Sequence, residues 1–255
     1  MSVQPTRLYG ELADWFHLLT APEEYAEEAE FYVRRFTEAI GMPPRTLLEL
    51  GSGGGNMASH YKAGVTATLT DISPSMLAVS EQINPECEHI AGDMRSMRLG
   101  REFDAVLVHD AVCYMTTLDD LYRAMATAFI HCRPGGTAIF APDDLRETFR
   151  SRTNHGGHDG PDRSLRYLEW TTDPDPSDTT YVTDYAYMLR EREKPLRVER
   201  DSHVCGLFSE AQWLRGLEAA GFDPVTQMQG PAEPTHDYRV FIAVRPRTAA
   251  HRSRR

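Results

Sequence analysis

The stretch Leu47-Leu48-Glu49-Leu50-Gly51-Ser52-Gly53-Gly54-Gly55 constrains this chain more than any other. An apolar run carrying one acid stops abruptly at glycine. That pattern reads as a buried strand entering a tight turn whose backbone something must approach closely. Asn56-Met57-Ala58-Ser59-His60-Tyr61 then leaves room for the first turns of a helix. Strand, glycine turn and helix start together present bare N–H groups to an electron-rich ligand.

The segments around it alternate. Residues 7–40 read as helical, with Thr20-Ala21-Pro22-Glu23 resembling a capping box and Gly41 closing the run. Tyr9, Trp15 and Phe16 form an aromatic group that either packs as core or covers the glycine turn. A short strand ends at Asp71, and Ser73-Pro74 opens the next helix. A third strand leads to Gly92-Asp93-Met94, and a fourth, Phe103 to Val108, ends at His109-Asp110. An amphipathic helix from Leu118 to Cys132 and the turn Arg133-Pro134-Gly135-Gly136 lead into a fifth strand, Thr137–Phe140. Strand and helix in alternation predict an α/β, doubly wound, Rossmann-like parallel sheet covered on both faces.

Beyond residue 141 the pattern breaks. Residues 142–163 are polar and glycine-rich, which suggests a flexible lid, and three β-like segments near 164–172, 179–190 and 196–205 should pair antiparallel. Ser209-Glu210-Ala211-Gln212 opens a helix that closes at Gly221, and strands near 223–229 and 238–244 complete the chain. The expected organisation is therefore a helical cover over 1–44, a core over 45–141, an antiparallel insert over 142–208, core completion over 209–248 and a basic tail over 249–255.

Charge narrows the partners. A net charge of −11 argues against nucleic acid, which needs a basic face. The scattered cysteines Cys87, Cys113, Cys132 and Cys205 form no CxxC pair, and no run approaches membrane-spanning length. The expectation is a cytoplasmic protein with no membrane partner, acting on a small molecule, with a homodimer as a possible assembly.

A glycine turn followed by an acid on the next strand serves several nucleotide binders, and Asp71 stands where a carboxylate accepts from ribose hydroxyls. Gly53-Gly54-Gly55-Asn56-Met57-Ala58 can even be fitted to GxGxxA, the signature of an NAD(P)-dependent oxidoreductase. Glu49 weighs against that reading. A carboxylate buried inside a strand needs a polar or cationic partner, so it suits a ligand carrying an ammonium or sulfonium better than a pyrophosphate. Asp93, after the third strand, could accept from an adenine amino group.

Taken together, Glu49-Leu50-Gly51-Ser52-Gly53-Gly54-Gly55, Asp71, Gly92-Asp93-Met94 and Arg133-Pro134-Gly135-Gly136 resemble class I S-adenosylmethionine-dependent methyltransferases over roughly residues 45–141. The resemblance implies a seven-stranded, mostly parallel sheet whose last strand is antiparallel. It implies a cofactor set of Glu49, Gly51, Ser52, Gly53, Gly55, Asn56, Asp71, Ile72, Met76, Asp93, Met94 and His109. Asp71 would hold the ribose, Ile72 flank the adenine, and His109 border the methionine amino group. Asn84-Pro85, Gly92-Asp93-Met94-Arg95, Leu99-Gly100-Arg101 and Ser202-His203-Val204-Cys205-Gly206-Leu207-Phe208 resemble the small-molecule branch that includes amino-sugar N-methyltransferases. That branch carries a histidine shortly after the fourth strand, where this chain has Tyr114.

The implied reaction is methyl transfer from S-adenosylmethionine to an amine or hydroxyl of a small metabolite. Tyr114, His109, Tyr9 and His155 are the candidates to position or deprotonate it. A non-catalytic adenosyl-ligand binding protein is the other alternative. His155 and His158 with Asp159 have a spacing compatible with a metal, but no second ligand cluster accompanies them, so no metal is expected. Trp170, Asp184, Tyr185 and Tyr187 should line or support the inserted sheet. Alternation puts Asp184 on the face opposite the two tyrosines.

Overall fold

The computed structural model describes residues 6–223, 225–229 and 238–247; the expected basic tail lies outside them. Seven strands form one sheet: β1 (Thr46–Leu50), β2 (Thr66–Asp71), β3 (Glu88–Ala91), β4 (Phe103–His109), β5 (Cys132–Ala141), β10 (Val225–Gln229) and β11 (Arg239–Val244). Their order is β10-β11-β5-β4-β1-β2-β3. β1 to β5 run parallel, and β11 is antiparallel to both neighbours. β1 and β4 read as continuous apolar runs because both faces of the sheet are covered.

One face, carrying Leu48, Leu50, Val106, Val108 and Phe140, packs under α5 (Leu118–His131) and α6 (Glu210–Ala220). The other, carrying Leu47, Ala105, Leu107 and Ile139, packs under α2 (Ala26–Ile40) and the short α3 (Ala58–Tyr61). The caps follow the residues. Ser73 Oγ accepts from the Met76 amide at the start of α4 (Pro74–Ile83), and Ser209 and Gln212 form a reciprocal box at α6. Gly41, at φ +86°, ends α2 in the left-handed region.

Two local expectations need correcting. The box expected over Thr20–Glu23 is displaced: Glu24 reaches back to the Ala21 amide, and Pro22–Tyr25 is a 3-10 turn between α1 (Phe16–Leu19) and α2. Residues 142–163 are not wholly a loop, because Arg152–Gly156 forms β6 and pairs antiparallel with β7 (Arg163–Thr172). With β8 (Thr180–Glu191) and β9 (Arg197–Gly206) these make a separate four-stranded antiparallel sheet.

The period-two alternation of this second sheet sorts its side chains. Leu165, Tyr185, Tyr187, Leu189, Asp201 and His203 share the inner face, where Leu165, Tyr187 and Leu189 pack on Leu8, Leu12 and Trp15 of the N-terminal segment. The Leu8 amide donates to Asp201 Oδ2 (2.8 Å), Arg7 pairs with Glu199 (2.8 Å), and the His158 amide donates to the Leu18 carbonyl (2.9 Å). The N-terminal segment is thus clamped between the insert and the core.

Candidate active site

The glycine turn has the shape its sequence requires. Gly51 sits at φ +80°, and a Cβ there would lie 2.3 Å from Ala111 Cβ, so no other residue fits without displacing the turn after β4. Glu49, two residues earlier, is buried, and Tyr61 Oη donates to its Oε2. Burial pushes the Glu49 carboxyl up to about 7. In the turn and just after it, Ser52 Oγ and Asn56 Oδ1 are buried without a hydrogen-bond partner, while Asn56 Nδ2 donates to the Thr20 carbonyl (3.1 Å). Buried polar atoms are almost always paired, so these orphans point to a ligand.

Asp71 ends β2 and accepts from the Gly53 amide (2.9 Å) and the Ser73 amide (2.8 Å), one on each oxygen. Burial still raises its pKa, against those amide bonds. A carboxylate has about four acceptor sites, so capacity for two hydroxyls remains. Ile72 beside it is 67% exposed, an open apolar platform. Met76 lies beneath Gly53, its Cε 3.8 Å from where a Cβ would stand, and the Met94 methyl approaches the Gly51 position to 2.9 Å. Asp93 is less open than expected: Arg95 binds both its oxygens (2.6 to 3.0 Å). A buried acid suited to a cation, two orphan polar atoms, a ribose-type carboxylate and an apolar platform form a set that fits S-adenosylmethionine.

The N-terminal segment closes over this turn. The Phe16 ring fills the space beside Gly54, where an added Cβ would stand 2.4 Å from the ring, and His17 Nε2 lies 3.0 Å from the Gly54 carbonyl. Ser73 Oγ donates to the Tyr9 carbonyl (2.5 Å), and the Tyr9 ring packs with Phe16, Met76 and Val79.

His109 does not present a free base. Its ring turns under α2, where Nε2 lies 3.0 Å from Glu28 Oε1 and 2.9 Å from Asp110 Oδ1. Burial alone would lower its pKa, but the two carboxylates outweigh it and hold the ring well above its ordinary value, as a cation. The expectation that His109 deprotonates the acceptor is therefore corrected. The cationic ring also lies close enough to act on Glu49, drawing its carboxyl down against the effect of burial. Asp110 adopts φ +45°, a strained conformation of the kind found at binding sites, and its side chain caps nothing.

Tyr114, on the turn that follows, belongs to a chain of hydrogen bonds. Its Oη lies 2.8 Å from Tyr9 Oη and 2.8 Å from His203 Nδ1, and His203 Nε2 lies 3.1 Å from Asp201 Oδ2. Tyr9 and Tyr114, two of the expected residues, are thus brought together. His155 is not: it faces Leu168 across the β6–β7 pair, exposed on the outer side of the insert, away from Tyr9 and Tyr114. That expectation is corrected by the strand register. Trp170 shares the outer face and is 62% exposed, so it lines nothing. Among the described residues no group of three His, Cys, Asp or Glu side chains could hold a metal.

Sequence reasoning missed His203, Asp201 and Asp143. The first two lay inside or beside a quoted motif without a role. Asp143 follows the carboxyl end of β5, where open α/β sheets bind ligands, and that rule could have found it. Burial first, and Asp110 next, push its carboxyl well above the ordinary range.

The comparisons agree with this geometry. Residues 48–140 match the methyltransferase domain family. The chain is 28% identical over 218 residues to dTDP-3-amino-3,4,6-trideoxy-alpha-D-glucopyranose N,N-dimethyltransferase from Streptomyces venezuelae, covering 84% of this chain and 89% of that one. The sugar N-methyltransferase KedS8 from Streptoalloteichus sp. ATCC 53650 superposes with a TM-score of 0.80 at 25% identity, covering 96% and 99% of the two chains. Streptomyces venezuelae DesVI shares the fold with a TM-score of 0.80 at 24% identity, over 92% and 97%. Residues 48–140 thus carry a methyltransferase domain with the motif series and sheet order of the class I S-adenosylmethionine-dependent enzymes, and the chain is similar over most of its length to amino-sugar N-methyltransferases.

Proposed function

We propose that the protein methylates the amino nitrogen of a small amino sugar, with the acceptor seated between the glycine turn and the inner face of the insert. The observation that carries this reading is the row of hydrogen-bonding groups Tyr9, Tyr114 and His203, with Tyr9 bound beside the glycine turn, which suits an acceptor nitrogen that must shed a proton. An amine arrives largely as its ammonium and needs such a neighbour. Similarity to sugar N-methyltransferases over most of both chains supports the same substrate class.

S-adenosylmethionine supplies an activated methyl group for in-line displacement. The protein's part is to hold, align and exclude water. Glu49, Gly51, Ser52, Gly53, Gly55 and Asn56 would hold the methionine end, Asp71 the ribose, and Ile72, Met76, Asp93 and Met94 the adenine. Phe16 and His17 close the turn to solvent, and Tyr9 and Tyr114 orient the acceptor nitrogen. The net charge of −11 supports a reading without nucleic-acid partners, and no described helix is long and apolar enough to cross a membrane. Cytoplasmic placement and a homodimer complete the proposal.

The first test is calorimetric titration with S-adenosylmethionine and, separately, with NAD. Binding of the adenosyl ligand, weakened at least tenfold in Asp71→Ala, is expected, because about 1.4 kcal/mol lost at the ribose corresponds to that factor. Binding of NAD instead returns the turn to a dinucleotide role. Mass spectrometry of an acceptor panel should then show methyl gain on nucleotide-linked amino sugars and none on their hydroxyl counterparts.

A further inference from the structure

We propose that Tyr9, Tyr114, His203 and Asp201 form a proton relay that carries away the proton released by the methyl acceptor. The proposal deepens the amine-methylation reading and rests on it.

The geometry supplies an unbroken path. Tyr9 Oη, Tyr114 Oη and His203 Nδ1 are linked by two contacts of 2.8 Å, and His203 Nε2 reaches Asp201 Oδ2 at 3.1 Å. The far end is fixed: Asp201 Oδ2 also accepts the Leu8 amide (2.8 Å), and His203 is buried. The near end faces the chemistry, because the Tyr9 main chain is bound to Ser73 and its ring packs with Met76 and Phe16, which border Gly53.

Both directions of the chain are chemically complete. With Asp201 ionised, Nε2 carries the imidazole proton and Nδ1 is an acceptor. As the contact stands Tyr114 donates to Tyr9; once the two hydroxyls turn, Tyr9 donates to Tyr114 and Tyr114 to Nδ1, which leaves a Tyr9 lone pair to receive a proton. As the acceptor nitrogen gives up its proton to Tyr9 Oη, the Tyr9 proton passes to Tyr114 and the Tyr114 proton to Nδ1. The nitrogen keeps the lone pair of the broken N–H bond, and the charge ends on a His203 imidazolium paired with Asp201. In that loaded state Nδ1 donates to Tyr114 and Tyr114 to Tyr9, the direction in which the two hydroxyls stand in the structure, so the proton can return once product leaves.

The electrostatics favour passage over storage. Burial raises both tyrosine hydroxyls well above their ordinary range, so neither holds a negative charge. Burial would also raise Asp201, but hydrogen bonds from His203 and the Leu8 amide outweigh it and keep the carboxyl low. The groups facing the His203 ring are Tyr9 from the N-terminal segment, Tyr114 from the turn after β4, Tyr185 from β8 and Asp201 from β9. Cys113 and Cys205 lie close enough to act on Tyr114. The relay gives a second methyl transfer to the same nitrogen a route, because the first product is an ammonium that must lose a proton before it can attack again.

His203→Asn retains an acceptor toward Tyr114 but cannot take a proton. With an amine acceptor its kcat should fall about 100-fold, in the range typical of general acid–base catalysis, with the KM for S-adenosylmethionine unchanged. The acid limb of the kcat–pH profile, present in the wild type because a protonated His203 cannot accept, should disappear in the variant. Full kcat with the limb intact overturns the relay. Nitrogen-15 NMR of the unliganded wild type gives a second readout that needs neither a variant nor a substrate. Neutral His203 should carry its proton on Nε2, and a proton on Nδ1 overturns the relay. If the protein binds S-adenosylmethionine yet methylates no amine, the amino-sugar reading fails, and the tautomer still decides the relay.

Discussion

Glu49 is the residue where the demands of the fold and of the ligand oppose each other. Its carboxyl is buried and pushed up to about 7, against an ordinary value of 4.5, because burial disfavours its charge. A folded-state pKa above the unfolded one stabilises the fold below about pH 4.5, and that contribution is lost as pH rises through about 7. At pH 8 the unliganded protein therefore carries an ionised acid with Tyr61 Oη as its hydrogen-bond partner, at a cost of up to about 3 kcal/mol for a shift of that size. Glu49→Gln should raise the melting temperature of the free protein at pH 8 while weakening S-adenosylmethionine binding. The wild-type affinity should increase from pH 6 to pH 8, and that increase should be absent in the variant; calorimetry across pH reads both. Glu49 and Asp71 were legible in the sequence because each sits at or next to the end of a short strand that runs directly into a turn. His203 and Tyr114 are 89 positions apart, and no local pattern could announce that they touch.

At the scale of elements, α2 is bound to the sheet by charge as well as by apolar packing. Glu28 on α2 accepts from Tyr32 Oη (2.6 Å) and Tyr238 Oη (3.1 Å) and pairs with His109 at the end of β4. Burial would raise Glu28, but His109 and the two hydroxyls outweigh it and bring the carboxyl down to about 2. A depressed carboxylate contributes stability above its unfolded value, and the contribution is lost as pH falls from about 4.5 to about 2. His109, raised, contributes below its unfolded value and loses that contribution only as pH climbs through its elevated one. The pair is therefore fully effective near pH 5 to 6. Glu28→Gln leaves the imidazolium beside Asp110 alone and should destabilise the protein by about 3 kcal/mol at pH 6, read by urea unfolding. The caps at Ser73, Gly41 and Ser209 were readable because a cap is a local contract between neighbouring residues. β6 was not. Its residues, Arg152-Thr153-Asn154-His155-Gly156, have no strand composition, and they pair because β7 offers an edge.

At the scale of the molecule, the insert has two faces with different tasks. The inner face carries Tyr185, His203 and Asp201 toward the site, and a one-residue change of register would exchange the two faces entirely. On the outer face Leu168, Trp170, Met188, Val198 and Val204 are exposed, with Trp170 at 62% and Val198 at 59%. Isolated exposed apolar side chains are ordinary, but five on one face of a continuous sheet make a patch of the kind that marks an interface. Self-association through this face agrees with the proposed homodimer, since a two-fold contact buries the same patch on both copies. Light scattering should then give twice the chain mass, and Trp170→Asp should give the monomer, because two new carboxylates would be desolvated at the contact. The variant should keep its affinity for S-adenosylmethionine, because the outer face is separated from the glycine turn by the whole thickness of the insert. A wild type that is monomeric removes the dimer. A dimer indifferent to Trp170→Asp moves the contact to another surface.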